Sequence, residues 1–264
     1  VKTAARRKRS PMSRLRPYWV AGGVVALLGF PAAMFAASEP VFHLKHLAVT
    51  GLARVARSEV VARAAIDPQT NVWFLNKRSI ENRIDAIAYV LSAHVHRRPP
   101  ADVTIDVTER TPSACVRDRD GREVTIDRDD RVLEDDCADR TLVAYDVRSA
   151  LAEHPGAFVR SPELADLEAA SAKLGASAAR FRAFSYDGFG QLVAVMPGGI
   201  AVEFGDAGDA DDLGRKERLI TPILAQLGPR ATDVKAVDLR AVATPVVEYR
   251  APLMHRRPQV ARTE

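Results

Sequence analysis

No G-x-S-x-G elbow, H-E-x-x-H pair, P-loop or G-x-G-x-x-G fingerprint occurs anywhere in the 264 residues. The chain thus lacks the usual nucleophile, zinc and phosphate signatures, and it is expected to be no enzyme and to take no cofactor. Metal ligands are equally sparse. His94 and His96 share one face of an expected strand, but no third ligand accompanies them, and Ala93, Val95 and Arg97 have the opposite parity, whose apolar members must face the core. The acidic run Asp127, Asp129, Asp130, Glu134, Asp135, Asp136 fails as an EF-hand loop, because its sixth and twelfth positions are Val132 and Ala138 instead of glycine and glutamate. No metal site is expected.

Cysteine is nearly absent: Cys115 and Cys137 are the only two. An extracytoplasmic disulfide between them is chemically permitted. Expected strand positions oppose it, since strands two apart lie roughly 10 Å from each other and a disulfide accepts a Cα distance of about 7 Å at most. A bridge requires the chain to bend back after Leu133.

Excess positive charge is missing from the body of the chain. The net charge is +4, yet Lys2, Arg6, Arg7, Lys8, Arg9, Arg14 and Arg16 all fall in the first 17 residues, leaving 31 Lys and Arg against 34 Asp and Glu elsewhere. A body of net −3 gives no reason to expect nucleic acid.

What the sequence does contain is Tyr18 to Ala37, twenty residues without a charge. A helix of that length is about 30 Å long, the thickness of a bilayer's hydrocarbon core. Ala36-Ala37-Ser38 resembles a signal-peptide cleavage site, but signal peptides have apolar cores of about 7 to 15 residues, so an anchor is the better reading. Basic residues before the span place residues 1–17 in the cytoplasm and the bulk of the chain outside it.

Beyond the linker Ser38-Glu39-Pro40, Val41 to Val49 reads as a strand whose alternation slips near Lys45-His46, where a bulge is expected. Arg57 to Ala65 and Lys77 to Ile87 have helical spacing, the second with Asn76 as N-cap. Two alternating segments flank Arg98-Pro99-Pro100 as a hairpin, giving the order β-α-α-β-β. After Pro112, short apolar runs separated by Asp120-Gly121, Asp129-Asp130, Asp187-Gly188 and Pro197-Gly198-Gly199 predict a second, mainly antiparallel sheet. Pro162 to Leu174 and Leu213 to Leu227 are its covering helices; Pro222 is expected to kink or split the latter. The cluster Asp206, Asp209, Asp211 and Asp212 suits that helix's N-terminus.

Val90, Ala93, Val95, Arg97, Pro100, Val103, Ile105, Val107, Glu109, Arg110, Pro112 and Ala114 reproduce a spacing that resembles the POTRA domain of the FtsQ/DivIB bacterial cell-division proteins. Asp238-Leu239-Arg240 followed by Pro245 to Arg250 resembles the end of that family's second domain, although Ala241 stands where relatives often carry an aromatic residue. The resemblance implies an α+β chain: cytoplasmic tail 1–17, single transmembrane helix 18–37, POTRA domain 41–110, β domain 111–250 and a terminal tail 251–264. It also implies a non-enzymatic, single-pass inner-membrane protein of the division septum, binding FtsB/FtsL-like partners and, through the POTRA domain, other divisome proteins. The alternative is a POTRA-containing envelope export or assembly factor. A final strand at a sheet edge can accept a partner strand by β-augmentation. Val247 and Tyr249 share one side of that strand, and Arg240 resembles the family's partner-contacting arginine; these three are the expected partner-binding residues.

Overall fold

The computed structural model describes residues 40–250 except 152, together with Gly23, Leu27 and Gly29. The expected cytoplasmic tail and the terminal tail 251–264 lie outside the described residues, as does the 18–37 span apart from those three, whose backbone is helical. Among the described residues no helix is long and apolar enough to cross a membrane. The chain divides into two compact units between Glu109 and Arg110.

The first unit holds β1 (His46–Thr50), α1 (Arg57–Ala64), α2 (Lys77–Asp85), β2 (Val90–Arg98) and β3 (Asp102–Glu109). Its sheet has the order β1-β3-β2, with β1 parallel and β2 antiparallel to β3. Alternation along β2 and β3 buries Ala93, Val95, Val103, Ile105 and Val107 on one face, against Val60 and Ala64 of α1 and Ile80 and Ile84 of α2. Asn76 caps α2 by accepting a bond from the Ser79 amide. The bulge expected at Lys45-His46 does not form. Residues Pro40–Phe42 make a short 3-10 turn, His43 bridges Asn71, and β1 starts only at His46, so the slip in alternation marks the strand's beginning.

The second unit is built on nine strands: β4 (Ala114–Arg117), β5 (Glu123–Ile126), β6 (Val132–Glu134), β7 (Val143–Asp146), β8 (Ala183–Tyr186), β9 (Leu192–Val195), β10 (Ala201–Gly205), β11 (Val234–Asp238) and β12 (Val246–Tyr249). Their spatial order is β12-β11-β10-β9-β8-β7-β4-β5-β6. Helices α3 (Pro162–Lys173) and α4 (Ala210–Leu227) contribute Leu164, Leu167, Leu213 and Ile220 to a core shared with Tyr145, Phe184, Leu192, Val202 and Phe204. The sheet is mixed. Neighbours β4–β7, β7–β8 and β10–β11 are parallel, the last two joined through α3 and α4, because parallel neighbours need a crossover connection.

Three local outcomes correct or sharpen the sequence reading. Helix α4 runs through Pro222 without dividing; Leu213 and Ile220 before the proline, with Ile223, Leu224 and Leu227 after it, tie both parts to the same core. Hairpin aspartates act as turn builders: Asp118, Asp127 and Asp187 each accept backbone bonds from residues two and four positions on. Finally, Cys115 and Cys137 are joined by a disulfide with Cα atoms 5.9 Å apart. The strand-spacing objection fails because the chain turns back after β6: the Thr125 hydroxyl donates to the Asp136 carbonyl at 2.6 Å, which holds residue 136 beside β5.

Candidate functional site

The three expected partner-binding residues lie along the terminal β11–β12 pair of the nine-stranded sheet, Tyr249 opposite Val234 at one end of the pair and Arg240 beyond Asp238 at the other. Among the described residues strand β12 is the sheet's terminal strand and pairs only with β11, antiparallel, with Val247 opposite Val237 and Val246 opposite Asp238. Val247 and Tyr249 do share a side, and it is the side of the domain's own core, where both are half-buried. The other face of β12 shows Val246, 59% exposed, and Glu248, whose Oε1 lies 2.7 Å from Lys235 Nζ.

Arg240 lies just past β11, and its donors turn back on its own unit. Its Nε is 3.0 Å from Asp238 Oδ1, its Nη2 2.6 Å from Asp238 Oδ2 and 3.4 Å from Glu203 Oε2, and its Nη1 3.4 Å from Gln191 Oε1. These bonds hold the Asp238 carboxyl below the usual carboxylate range and raise the Arg240 guanidinium further. The side chain passes over Gly205, φ +80°, where an added Cβ would stand 3.2 Å from Arg240 Cγ. Arg240 remains 46% exposed, so a partner carboxylate reaching it competes with Asp238 and Glu203.

Free backbone groups decide where a partner strand can pair. The outer edge of β2 is closed, since Asp85 Oδ1 accepts from the Ala93 amide and Glu81 Oε1 from the Val95 amide, both at 2.8 Å. At the edge strand β6, Val132 exchanges backbone bonds with Ala157 and Gly156 at 2.9 and 2.8 Å. On β1, the Leu47 carbonyl accepts from Arg57 Nη2 at 2.7 Å. Among the described residues nothing comparable covers the outer edge of β12. Glu81 and Asp85 escaped sequence reasoning, though their i, i+4 spacing on the polar side of the Ile80–Ile84 stripe is the signal that places them together.

Residues 42–110 match the model of the FtsQ-type POTRA domain. Cell division protein FtsQ of Syntrophotalea carbinolica is 35% identical over 96 residues, covering 36% of this chain and 34% of that protein. FtsQ of Novosphingobium aromaticivorans is 32% identical over 121 residues, 46% of this chain and 37% of the relative, and DivIB of Clostridium tetani is 26% identical over 110 residues, 41% of each. The chain is thus similar to the FtsQ/DivIB cell-division proteins, with an FtsQ-type POTRA domain over residues 42–110. The match spans about a third of the length of the FtsQ relatives.

The FtsQ-type residues quoted from the sequence prove to be builders of the fold. Val90, Ala93, Val95, Val103, Ile105 and Val107 are core. Arg97 Nη1 donates to the Trp73 carbonyl at 2.5 Å, and Arg110 pairs with Asp127 and Asp129. Glu109 accepts from the amides of Ala53, Arg54 and Val55 at 2.8 to 3.1 Å. Burial pushes its carboxyl up, but those backbone donors win and hold it below the usual range. They fix the loop after Gly51, φ +83°, where an added Cβ would fall 1.9 Å from the Val107 carbonyl oxygen. His94 and His96 are exposed, and His96 Nε2 faces Asp106 Oδ2 at 3.3 Å.

Proposed function

We propose that this FtsQ/DivIB-like chain is a non-enzymatic, single-pass scaffold of the bacterial division septum that binds FtsB/FtsL-like partners by adding a partner strand to β12. The observation carrying this reading is the outer edge of β12, which nothing among the described residues covers, in contrast to the edges of β2 and β6, which are occupied by carboxylates and by neighbouring backbone. Backbone pairing supplies affinity in such a complex, while side chains along the strand select the partner. Tyr249 and Val247 offer half-buried apolar surface, and Arg240 offers a guanidinium at the neighbouring strand end. The POTRA unit, in this account, recruits other divisome proteins to the septum from the outer side of the inner membrane.

The test is a titration of the full-length chain with an FtsB/FtsL-like complex. Arg240→Glu combined with Tyr249→Ala is expected to weaken binding by roughly tenfold or more, about 1.4 kcal/mol. Unchanged affinity in a variant that remains folded removes β12 as the docking strand. Deleting residues 42–109 is expected to abolish midcell localisation of a tagged chain, and normal rings would refute the recruiting role.

A further inference from the structure

In the first unit, large apolar side chains stand in water at one end. Trp73 is 50% exposed, Phe74 58% and Val41 49%, and Phe42 meets Trp73 edge-on with ring centroids 6.4 Å apart. The backbone gathers them: Val72 donates to the Phe42 carbonyl at 3.0 Å and Leu44 to the Thr70 carbonyl at 3.2 Å, so the 70–74 loop lies along the entry to β1. Neither ring is needed by the unit's core, which closes on Val72 and Leu75.

The same end carries basic residues. The Lys45 amide bonds to the Ala101 carbonyl at 2.9 Å, placing Lys45 beside the β2–β3 turn, where Arg97 and Arg98 are exposed. Among the described residues, carboxylates at this end are Asp102, opposite Arg98 and His46 in register, and Asp67 in the loop before Thr70; Glu39, two positions before Val41, lies outside the described residues. Among the described residues, Lys45, Arg97 and Arg98 therefore outnumber Asp102 and Asp67 around the aromatic patch.

Its place along the chain indicates what it meets. Val41 follows Ala37, the end of the uncharged run, by four residues, or about 14 Å of extended chain. Tryptophan and other amphipathic or aromatic side chains concentrate at the membrane–water interface, and Lys and Arg near the surface are drawn to anionic lipid. We infer that the Val41–Phe42–Trp73–Phe74 patch seats the first unit on the outer surface of the membrane, with Lys45, Arg97 and Arg98 against anionic headgroups. This inference rests on the reading of residues 18–37 as a membrane anchor. Seating fixes the unit's β1 end at the lipid surface and holds the unit upright on its anchor.

Only two tryptophans are present, Trp19 in the run and Trp73 in the patch, so each is read alone. The full-length chain is reconstituted in phosphatidylcholine vesicles with and without phosphatidylglycerol, as Trp19→Phe to report Trp73 and as Trp73→Phe to report Trp19. Emission is quenched by lipids carrying a nitroxide near the headgroup or along the acyl chain, and by aqueous acrylamide. The inference predicts that Trp73 is quenched by the headgroup nitroxide and shielded from acrylamide when phosphatidylglycerol is present. Phe74→Ser and Arg98→Glu, each at an exposed site, are expected to reduce that lipid quenching severalfold. If Trp19 is quenched by lipid and Trp73 only by acrylamide, the seating is overturned and the patch is left to a protein partner. Lipid quenching of Trp73 that is equal without phosphatidylglycerol overturns the role of the basic rim. No lipid quenching of Trp19 overturns the anchor, and the seating with it. None of these outcomes bears on strand addition at β12.

Discussion

Arg240 grips Asp238 with a forked pair of bonds, Nε to Oδ1 at 3.0 Å and Nη2 to Oδ2 at 2.6 Å, at the end of the strand that β12 pairs with. The guanidinium is therefore held in position by its own unit, and on the proposed reading its contribution to stability separates from its contribution to partner binding. An exposed pair of this kind is worth under about 1 kcal/mol to folding. Arg240→Ala should leave the melting temperature of the second unit nearly unchanged while still weakening the partner complex. Calorimetry paired with the titration checks both halves.

Tyr249 behaves differently, because the structure packs it half-buried against the core. Tyr249→Ala is expected to destabilise the second unit by about 2 kcal/mol, in the lower part of the range for truncating large side chains, and to weaken binding as well. Tyr249→Phe retains the packed ring, so its stability should match the parent in chemical denaturation.

Glu109 gathers three backbone amides in the first unit. Glu109→Ala leaves them without that acceptor and is expected to cost about 2 kcal/mol, as for hydrogen bonds to a charged group. Its folded pKa is depressed, so its contribution is present above the unfolded value and is lost as pH falls through the folded one. Urea melts of the first unit across the acid range should show the parent losing stability towards low pH and the variant losing less.

Glu168 in α3 gives the opposite slope. Burial, then the charge of Asp130 and their shared hydrogen bond, raise its carboxyl to about 7. A raised acid contributes fully below its unfolded pKa, and that contribution fades as pH rises through the folded value. The second unit should therefore lose stability from about pH 4.5 to about pH 7 at this site, starting near the unfolded carboxylate value. Glu168→Gln should flatten that slope and gain stability at the upper end, measured by thermal melts at several pH values.

The Cys115–Cys137 bridge spans a sequence separation of 22. Reduction, or Cys115→Ser with Cys137→Ser, is expected to cost about 3 kcal/mol. For a unit of this size that lowers Tm by roughly 10 °C.

The first unit was legible because its signals are local. Alternation at Ala93, Val95, Val103, Ile105 and Val107 marks one buried face, and Asn76 before a helical stripe marks a start. The second unit was less so. Its parallel neighbours join residues far apart in sequence, such as Ala114 with Val143 and Ala144 with Ala183, and periodicity is silent about which strands meet. The disulfide stayed open in the sequence for the same reason, since nothing before Cys137 announces the turn back towards β5 that the bridge requires. Of the expected site, the shared side of Val247 and Tyr249 followed from parity, whereas the direction of that side and the partners of Arg240 depend on the whole sheet.

Strand addition at β12 is tested most directly by amide hydrogen exchange on the full-length chain, alone and with an FtsB/FtsL-like complex. The account predicts that outward-facing amides within Val246–Tyr249 exchange freely alone and slow markedly in the complex, with the β2 edge amides of Ala93 and Val95 unchanged. A complex that forms with β12 exchange unaltered would contradict it.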